Sequence, residues 1–234
     1  YHYYSAIRKY YFEKYISDRL KEGFHKYYIK KYIDFLISSN NLNVEKYNFH
    51  DHHETHAYSA YYFSDFVNEN NTLIFTMDEH GDNFFSKVFI FNNSTKKTIA
   101  SSKTFKYFIG KVGYAASIAG MYSNFTEAMD LKRSSDEGKV EALAAFGKPN
   151  NDLVNKLNNI FFLDEYFSIK INREKYINFS SIENLKKIRK ELGDENFCSS
   201  IQFFLESFLV NYLKLKKKIH KFDNICLSGG IFAN

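Results

Sequence analysis

The chain has 234 residues, 44% hydrophobic and 25% charged, a globular balance with enough length for one sizeable core or two small ones. Its net charge is +5, but the lysines are scattered as pairs (Lys30-Lys31, Lys96-Lys97, Lys186-Lys187) with one run, Lys216-Lys217-Lys218. They read as solvated helix faces, which argues against nucleic acid as a partner.

Along the chain, apolar residues first recur at helical spacing from His2 to about Ser39, which predicts two helices hinged near Gly23. Val44 to Phe49 has a mixed pattern compatible with a strand, and a helix is expected over His52 to Phe63. Three strands follow, Thr72 to Met77, Phe84 to Phe91 and Thr98 to Phe105, with Asn92-Asn93-Ser94 as the turn between the second and third. A small-residue helix is predicted from about Gly113 to Tyr122 and another over Lys139 to Ala145, stopped by Gly147-Lys148-Pro149. Residues 151–195 read as a charged, mostly helical insertion with a strand-like piece at Phe167 to Ile171. A long amphipathic helix spans Phe197 to about His220, then comes strand Asn224 to Leu227 and the turn Ser228-Gly229-Gly230. Strands alternating with helices predict an α/β domain.

The abundance of Phe and Tyr (25 and 19 residues), against no Trp and one Pro, follows from AT-rich coding and carries no functional content. Cys198 and Cys226 form no spaced motif and fit a reducing compartment. The most apolar stretch, Ile201 to Leu213, is interrupted by Gln202, Glu206 and Asn211, so it reads as a buried helix, not a membrane span. No signal-peptide pattern opens the chain, and a cytoplasmic location without membrane partners is expected.

Five of the eight histidines lie between His50 and His80, densest in His52-His53-Glu54-Thr55-His56. On a helix, His52 and His56 stand at i and i+4, so both imidazoles leave one face and offer two nitrogen ligands to a single transition-metal ion. The alternative is a helix N-terminus capped by Asp51 with its histidines in solvent. Small neighbours, Ala57, Ser59 and Ala60, let the helix pack closely and turn that face inward, where imidazoles need partners. Any remaining ligand from this chain would come from Asp51, Asp78, His80 or Asp82. Asp78, at the end of a buried strand next to Gly81, suits either a nucleotide or metal site or an ordinary hairpin turn. Ser228-Gly229-Gly230 follows a strand, so its amides are placed to approach a phosphate, although the motif alone is weak. Cys226 reads as core.

Five blocks in this order resemble the carbamoyltransferases that decorate nodulation factors and antibiotics. His52 to Tyr62 is similar to that family's HHxxHAxSAYY, Thr76 to Asp82 to its TxDGxGE, and Tyr122 to Thr126 to its YSxFT. Glu137 to Pro149 is similar to its EGKVMGLAxYGKP, and Leu227 to Asn234 to its LAGGVxxN. The resemblance implies an actin-like mixed sheet with flanking helices, incomplete here, with a helical N-terminal segment at 1–45 and a catalytic core at 46–234. It further implies that His52 and His56 hold an iron or zinc ion, that Ser228, Gly229, Gly230 and Asn234 contact the nucleotide, and that Asp78 and Glu137 contact substrate. The implied activity is transfer of a carbamoyl group from carbamoyl-adenylate, made from carbamoyl phosphate and ATP, to a hydroxyl of a small-molecule acceptor. Glu79 departs from the family's Gly, and Glu141-Ala142 from its Met-Gly. The family's catalytic histidine is expected upstream of Tyr1, a further metal-binding aspartate beyond Asn234, and the adenylate-forming domain in the full-length protein. This chain alone is therefore expected to be inactive. Two alternatives are a tRNA threonylcarbamoyl transferase, disfavoured by the SAYY and YSxFT blocks, and a truncated, inactive nucleotide-binding or interaction module.

Overall fold

A computed structural model describes residues 22–93, 95–109 and 112–233. The first predicted helix and Asn234 lie outside these. The described residues fall into two compact units, one ending at Phe49 and the other beginning at His50. In the first, helix α1 (Glu22–Ser39) runs through Gly23. Residues 43–50 form no strand, contrary to the expectation for Val44–Phe49. Val44 and Phe49 are both exposed, and among the described residues no neighbouring strand supplies the hydrogen bonds a β segment needs.

The second unit is built on a four-stranded mixed sheet, order β3-β2-β1-β8, from β1 (Thr72–Gly81), β2 (Phe84–Asn92), β3 (Thr95–Lys103) and β8 (Asn224–Ser228). Strands β1, β2 and β3 form an antiparallel meander, and Asn93 takes the left-handed conformation its β2–β3 turn requires. Strand β8 returns parallel to β1, pairing Thr72–Thr76 with Asn224–Ser228. With eight helices among the described residues, the fold is α/β.

Alternation along β1 divides the molecule. Leu73, Phe75 and Met77 point into the main core, and Ile74 packs on the opposite face beneath helix α2 (His52–Tyr62). That small layer is closed by Ala57, Tyr61, Phe89, Phe91 and Cys226. Asp51 starts α2, its carboxylate accepting from the Glu54 amide at 3.0 Å.

The main core is covered by helices α3 (Ile118–Ala128) and α8 (Asp194–Ile219), which bring Phe125 and Phe197 into a stack 4.4 Å apart. In α8, Phe197, Ile201, Phe204, Leu205 and Tyr212 are buried at helical spacing. Each buried side chain of that size contributes roughly 1.5–3 kcal/mol.

Gly113 and Tyr114 do not open a helix, as their small neighbours had predicted. They belong to a hairpin, β4 (Lys106–Ile109) and β5 (Val112–Ala115), in which Tyr114 stacks on its cross-strand partner Tyr107. The helix starts only after Ser117, whose hydroxyl accepts from the Gly120 amide at 2.8 Å. Helix α4 (Glu137–Ala144) follows α3. The 151–195 stretch holds helix α5 (Asn151–Ile160), a small hairpin of β6 (Phe161–Leu163) and β7 (Ile169–Ile171), and helices α6 (Arg173–Phe179) and α7 (Ile182–Leu192). Among the described residues no helix is long and apolar enough to cross a membrane.

Candidate metal centre

The same alternation that sends Phe75 and Met77 into the core sends Thr76 and Asp78 toward α2. Opposite them on that helix stand His52, His53 and His56, and they fall into two chemically distinct sets.

His53 is fully buried. Its Nδ1 lies 2.9 Å from Thr76 Oγ1 and its Nε2 lies 3.2 Å from the Phe84 carbonyl. A carbonyl only accepts, so Nε2 carries the proton, and Nδ1 faces the Thr76 hydroxyl, whose one proton is also within reach of the Lys87 carbonyl at 3.1 Å. Burial pushes the imidazole down to about 4, keeping it neutral. With both nitrogens engaged, His53 fastens α2 to the sheet.

His52 and His56 instead share one partner. Their rings sit 4.7 Å apart, and Asp78 Oδ2 lies 3.4 Å from His52 Nε2 and 3.2 Å from His56 Nε2. Ligand atoms of all three residues lie within 4.8 Å of one another, and each residue is partly exposed. Two ligands about 2.1 Å from one cation and tetrahedrally disposed stand about 3.4 Å apart, so the spacing fits iron or zinc. Two imidazoles and a carboxylate are also the donor set such ions take when a position is left for substrate.

Each of the three is held from behind. Asp82 accepts from the His52 amide at 2.8 Å, and Gly81 lies so close to the ring that a Cβ there would fall 2.2 Å from His52 Cδ2. His56 Nδ1 lies 3.4 Å from Ser228 Oγ, the arrangement that leaves Nε2 free as a ligand atom. Asp78 Oδ1 accepts from the Glu79 amide at 2.9 Å, which turns Oδ2 toward the histidines.

Of the four acids and histidines proposed to complete the cluster, the structure brings in Asp78. Asp51 caps α2 and pairs with Lys87 at 2.7 Å; burial would raise its carboxyl, but the ammonium and the Glu54 amide outweigh that and hold it below the usual range. Asp82 is engaged with the helix backbone, and His80 is exposed. The signal for Asp78 was strand parity, since it stands four residues beyond Ile74 on the face that carries Thr76.

Among the predicted nucleotide contacts, Ser228 ends β8 beside His56, and Gly229 follows it with φ +105°. A Cβ on Gly229 would lie 2.1 Å from the Met77 carbonyl oxygen, so this turn is pressed onto the end of β1. One on Gly230 would meet Asp78 Oδ1 at 3.1 Å. Glu137 sits in the first turn of α4, where Oε1 accepts from Ser123 Oγ at 3.0 Å and the Ser134 amide at 2.6 Å. Among the described residues no hydrogen bond or ion pair joins Glu137 to the histidine cluster.

Over 198 aligned residues the chain is 36% identical to an uncharacterized protein of Methanocaldococcus jannaschii. That alignment takes in 79% of this chain and 31% of the relative, so the chain spans about a third of that relative's length. A second comparison covers nearly all of it. The family described as the carbamoyltransferase N-terminus matches residues 5–234, and the chain belongs to that family.

Proposed function

We propose that this chain is the metal-binding part of an O-carbamoyltransferase, with His52, His56 and Asp78 holding one iron or zinc ion. The observation that carries the reading is the convergence of His52 Nε2 and His56 Nε2 on one oxygen of Asp78, within a member of a carbamoyltransferase family. Bound there, the ion would act as a Lewis acid and stabilise negative charge developing on a carbamoyl oxygen.

The chain's own residues supply orientation. Ser228 fixes the His56 ring, the Asp82 carboxylate and Gly81 fix His52, and the Glu79 amide fixes Asp78. The Ser228-Gly229-Gly230 turn packs on β1 beside Asp78, which supports a role in binding the phosphate of carbamoyl-adenylate; Asn234, proposed as a further contact, lies outside the described residues. An acceptor hydroxyl from a sugar or secondary metabolite would attack the carbamoyl carbon and give its proton to a base of the longer protein, while the bond from that carbon to the phosphate oxygen breaks and AMP leaves. The parallel β1–β8 pair within a mixed sheet supports the actin-like arrangement proposed for the whole domain. Carbamoyl phosphate and ATP would be converted to the adenylate by a separate domain of the longer protein, and the reaction would take place in the cytoplasm.

The same distances also suit two histidine–carboxylate hydrogen bonds, so the experiment must separate a cation from an ion pair. Metal content and transfer from pre-formed carbamoyl-adenylate are measured on the full-length protein and on His52→Ala, His56→Ala and Asp78→Ala. We expect one equivalent of iron or zinc in the parent and loss of both metal and transfer in each variant. Full metal content in Asp78→Ala would remove it from the ligand set, and a metal-free, active parent would overturn the reading.

A further inference from the structure

The regular β1–β2 register is interrupted between Met77 and Gly81, so strand parity sets the face Asp78 takes but no ladder pairing steadies it there. Something else must hold it. Its Oδ1 accepts from the Glu79 amide, and the Glu79 carboxylate meets Arg133 Nη2 at 2.6 Å. Arg133 comes from the loop between α3 and α4 and is largely sheltered, its side chain 19% exposed. Its Nη1 donates to Asn124 Oδ1, and its central carbon lies 5.1 Å from the centre of the Tyr114 ring. Asn124 is buried on α3 and donates in turn to the Ser180 carbonyl at 3.2 Å. Burial works against the Arg133 charge, but Glu79 outweighs it and raises the guanidinium further.

The loop is pinned at its start as well. Arg189 of α7 donates to the Ala128 carbonyl at 2.9 Å and to Asp130 at 2.7 Å. Arg133 therefore hangs from a rigid helix at one side and grips the strand-end turn at the other. A planar guanidinium can donate to Glu79 and Asn124 simultaneously, a fork that Lys cannot reproduce. Glu79, where the resembling family has glycine, thereby acquires a partner.

We infer that Arg133 and Glu79 form a positioning pair that aims Asp78 Oδ2 at His52 and His56. This rests on the metal reading above, and neither residue is assigned to touch substrate.

The test is titration with Co2+ alone, followed by its visible absorption, on the metal-free full-length protein. Arg133→Met and Glu79→Ala are each expected to weaken Co2+ binding roughly ten- to hundredfold, the usual effect of removing an outer partner of a metal ligand. Arg133→Lys, which keeps the charge but not the fork, should recover part of that loss. In an Asp78→Ala background, which holds no metal as purified but whose two histidines still bind Co2+ weakly at high concentration, Arg133→Met should change that residual affinity no further, because its effect passes through Asp78. A merely structural role would lower affinity equally in both backgrounds. Parent-like affinity in Arg133→Met and Glu79→Ala, or an undiminished effect in the Asp78→Ala background, overturns the inference while leaving the metal centre standing. A parent protein that takes up no Co2+ overturns the metal centre and the pair together. Should Arg133→Met fail to fold, Glu79→Ala decides alone, since a surface-reaching carboxylate is removed without disturbing Asn124.

Discussion

The two faces of β1 are made by neighbouring residues of one strand, yet they do opposite work. Leu73, Phe75 and Met77 enter a core shared with α3 and α8, and the Phe75 ring lies 5.2 Å from that of Tyr212. Ile74, Thr76 and Asp78 face α2, where the apolar layer is thin and gives way within two residues to His53 and then to the open cluster of His52 and His56. Stability on the first face comes from area removed from water. On the second, it comes from a few directed hydrogen bonds, and the same bonds hold the ligands in register. Packing is thus kept at the strand's middle, and chemistry collects at its end.

The largest expected effect lies on the apolar face. Phe75→Ala removes a fully buried ring and leaves a cavity between α8 and the sheet, a loss of about 3–5 kcal/mol in unfolding free energy by urea titration. A loss below about 1 kcal/mol would mean that this face is not what holds the second unit together.

Much of this division was legible beforehand. The i, i+4 spacing put His52 and His56 on one face of α2, and the apolar run Thr72–Met77 stands as the strand it was read to be. The turn at Asn93 and the strand before Ser228 also stand where pattern placed them. What pattern missed depends on partners distant in sequence. Asp78 stood only as one of four candidate ligands, because its link to α2 depends on the way α2 lies on the sheet. Tyr107 and Tyr114 pair as a hairpin across a connection whose glycines and small neighbours imitate a helix start. Lys216 was misjudged in the same way: two of its run, Lys217 and Lys218, are exposed, but Lys216 is buried because helical rotation turns it toward Tyr212.

The next effect sharpens the comparison on the polar face. His53 is held down to about 4 by burial, against about 6.5 in an unfolded chain. Above pH 6.5 it is neutral in both states and its hydrogen bonds contribute in full. As pH falls from 6.5 toward 4 the unfolded chain takes up a proton that the folded one refuses, so stability is lost across that window, up to about 3 kcal/mol. His53→Gln should flatten this part of the curve relative to the parent in unfolding titrations between pH 7 and 4. Parallel curves would show that the ring is not kept neutral and that α2 is fastened by other contacts.

The smallest effect has the opposite sign and belongs to the apolar face. Lys216 is fully buried, its Nζ has no hydrogen-bond partner among the described residues, and it lies 5.1 Å from the centre of the Tyr212 ring. The contrast with His53 is one of proton affinity. A buried imidazole is neutral near pH 7 and satisfied by one donor and one acceptor, whereas a buried ammonium keeps its charge and needs acceptors that this face does not offer. Burial lowers Lys216 to about 8, and the attraction of Asp164 offsets only part of that. Below pH 8 the amine is charged in both states and the folded state bears the cost. Between about pH 8 and 10.5 the folded protein releases a proton that the unfolded chain keeps, so the parent should gain stability as pH rises through that window. Lys216→Met keeps the packed stem and removes the charge. It should raise stability at pH 7 by about 1–2 kcal/mol, less than the full linkage because contact with the Tyr212 ring is lost as well. It should also show no rise between pH 8 and 10.5 in urea titrations. If Lys216→Met destabilises the protein and the parent's rise persists in the variant, the ammonium is satisfied after all. The apolar face would then hold a polar contact as specific as that of His53 with Thr76.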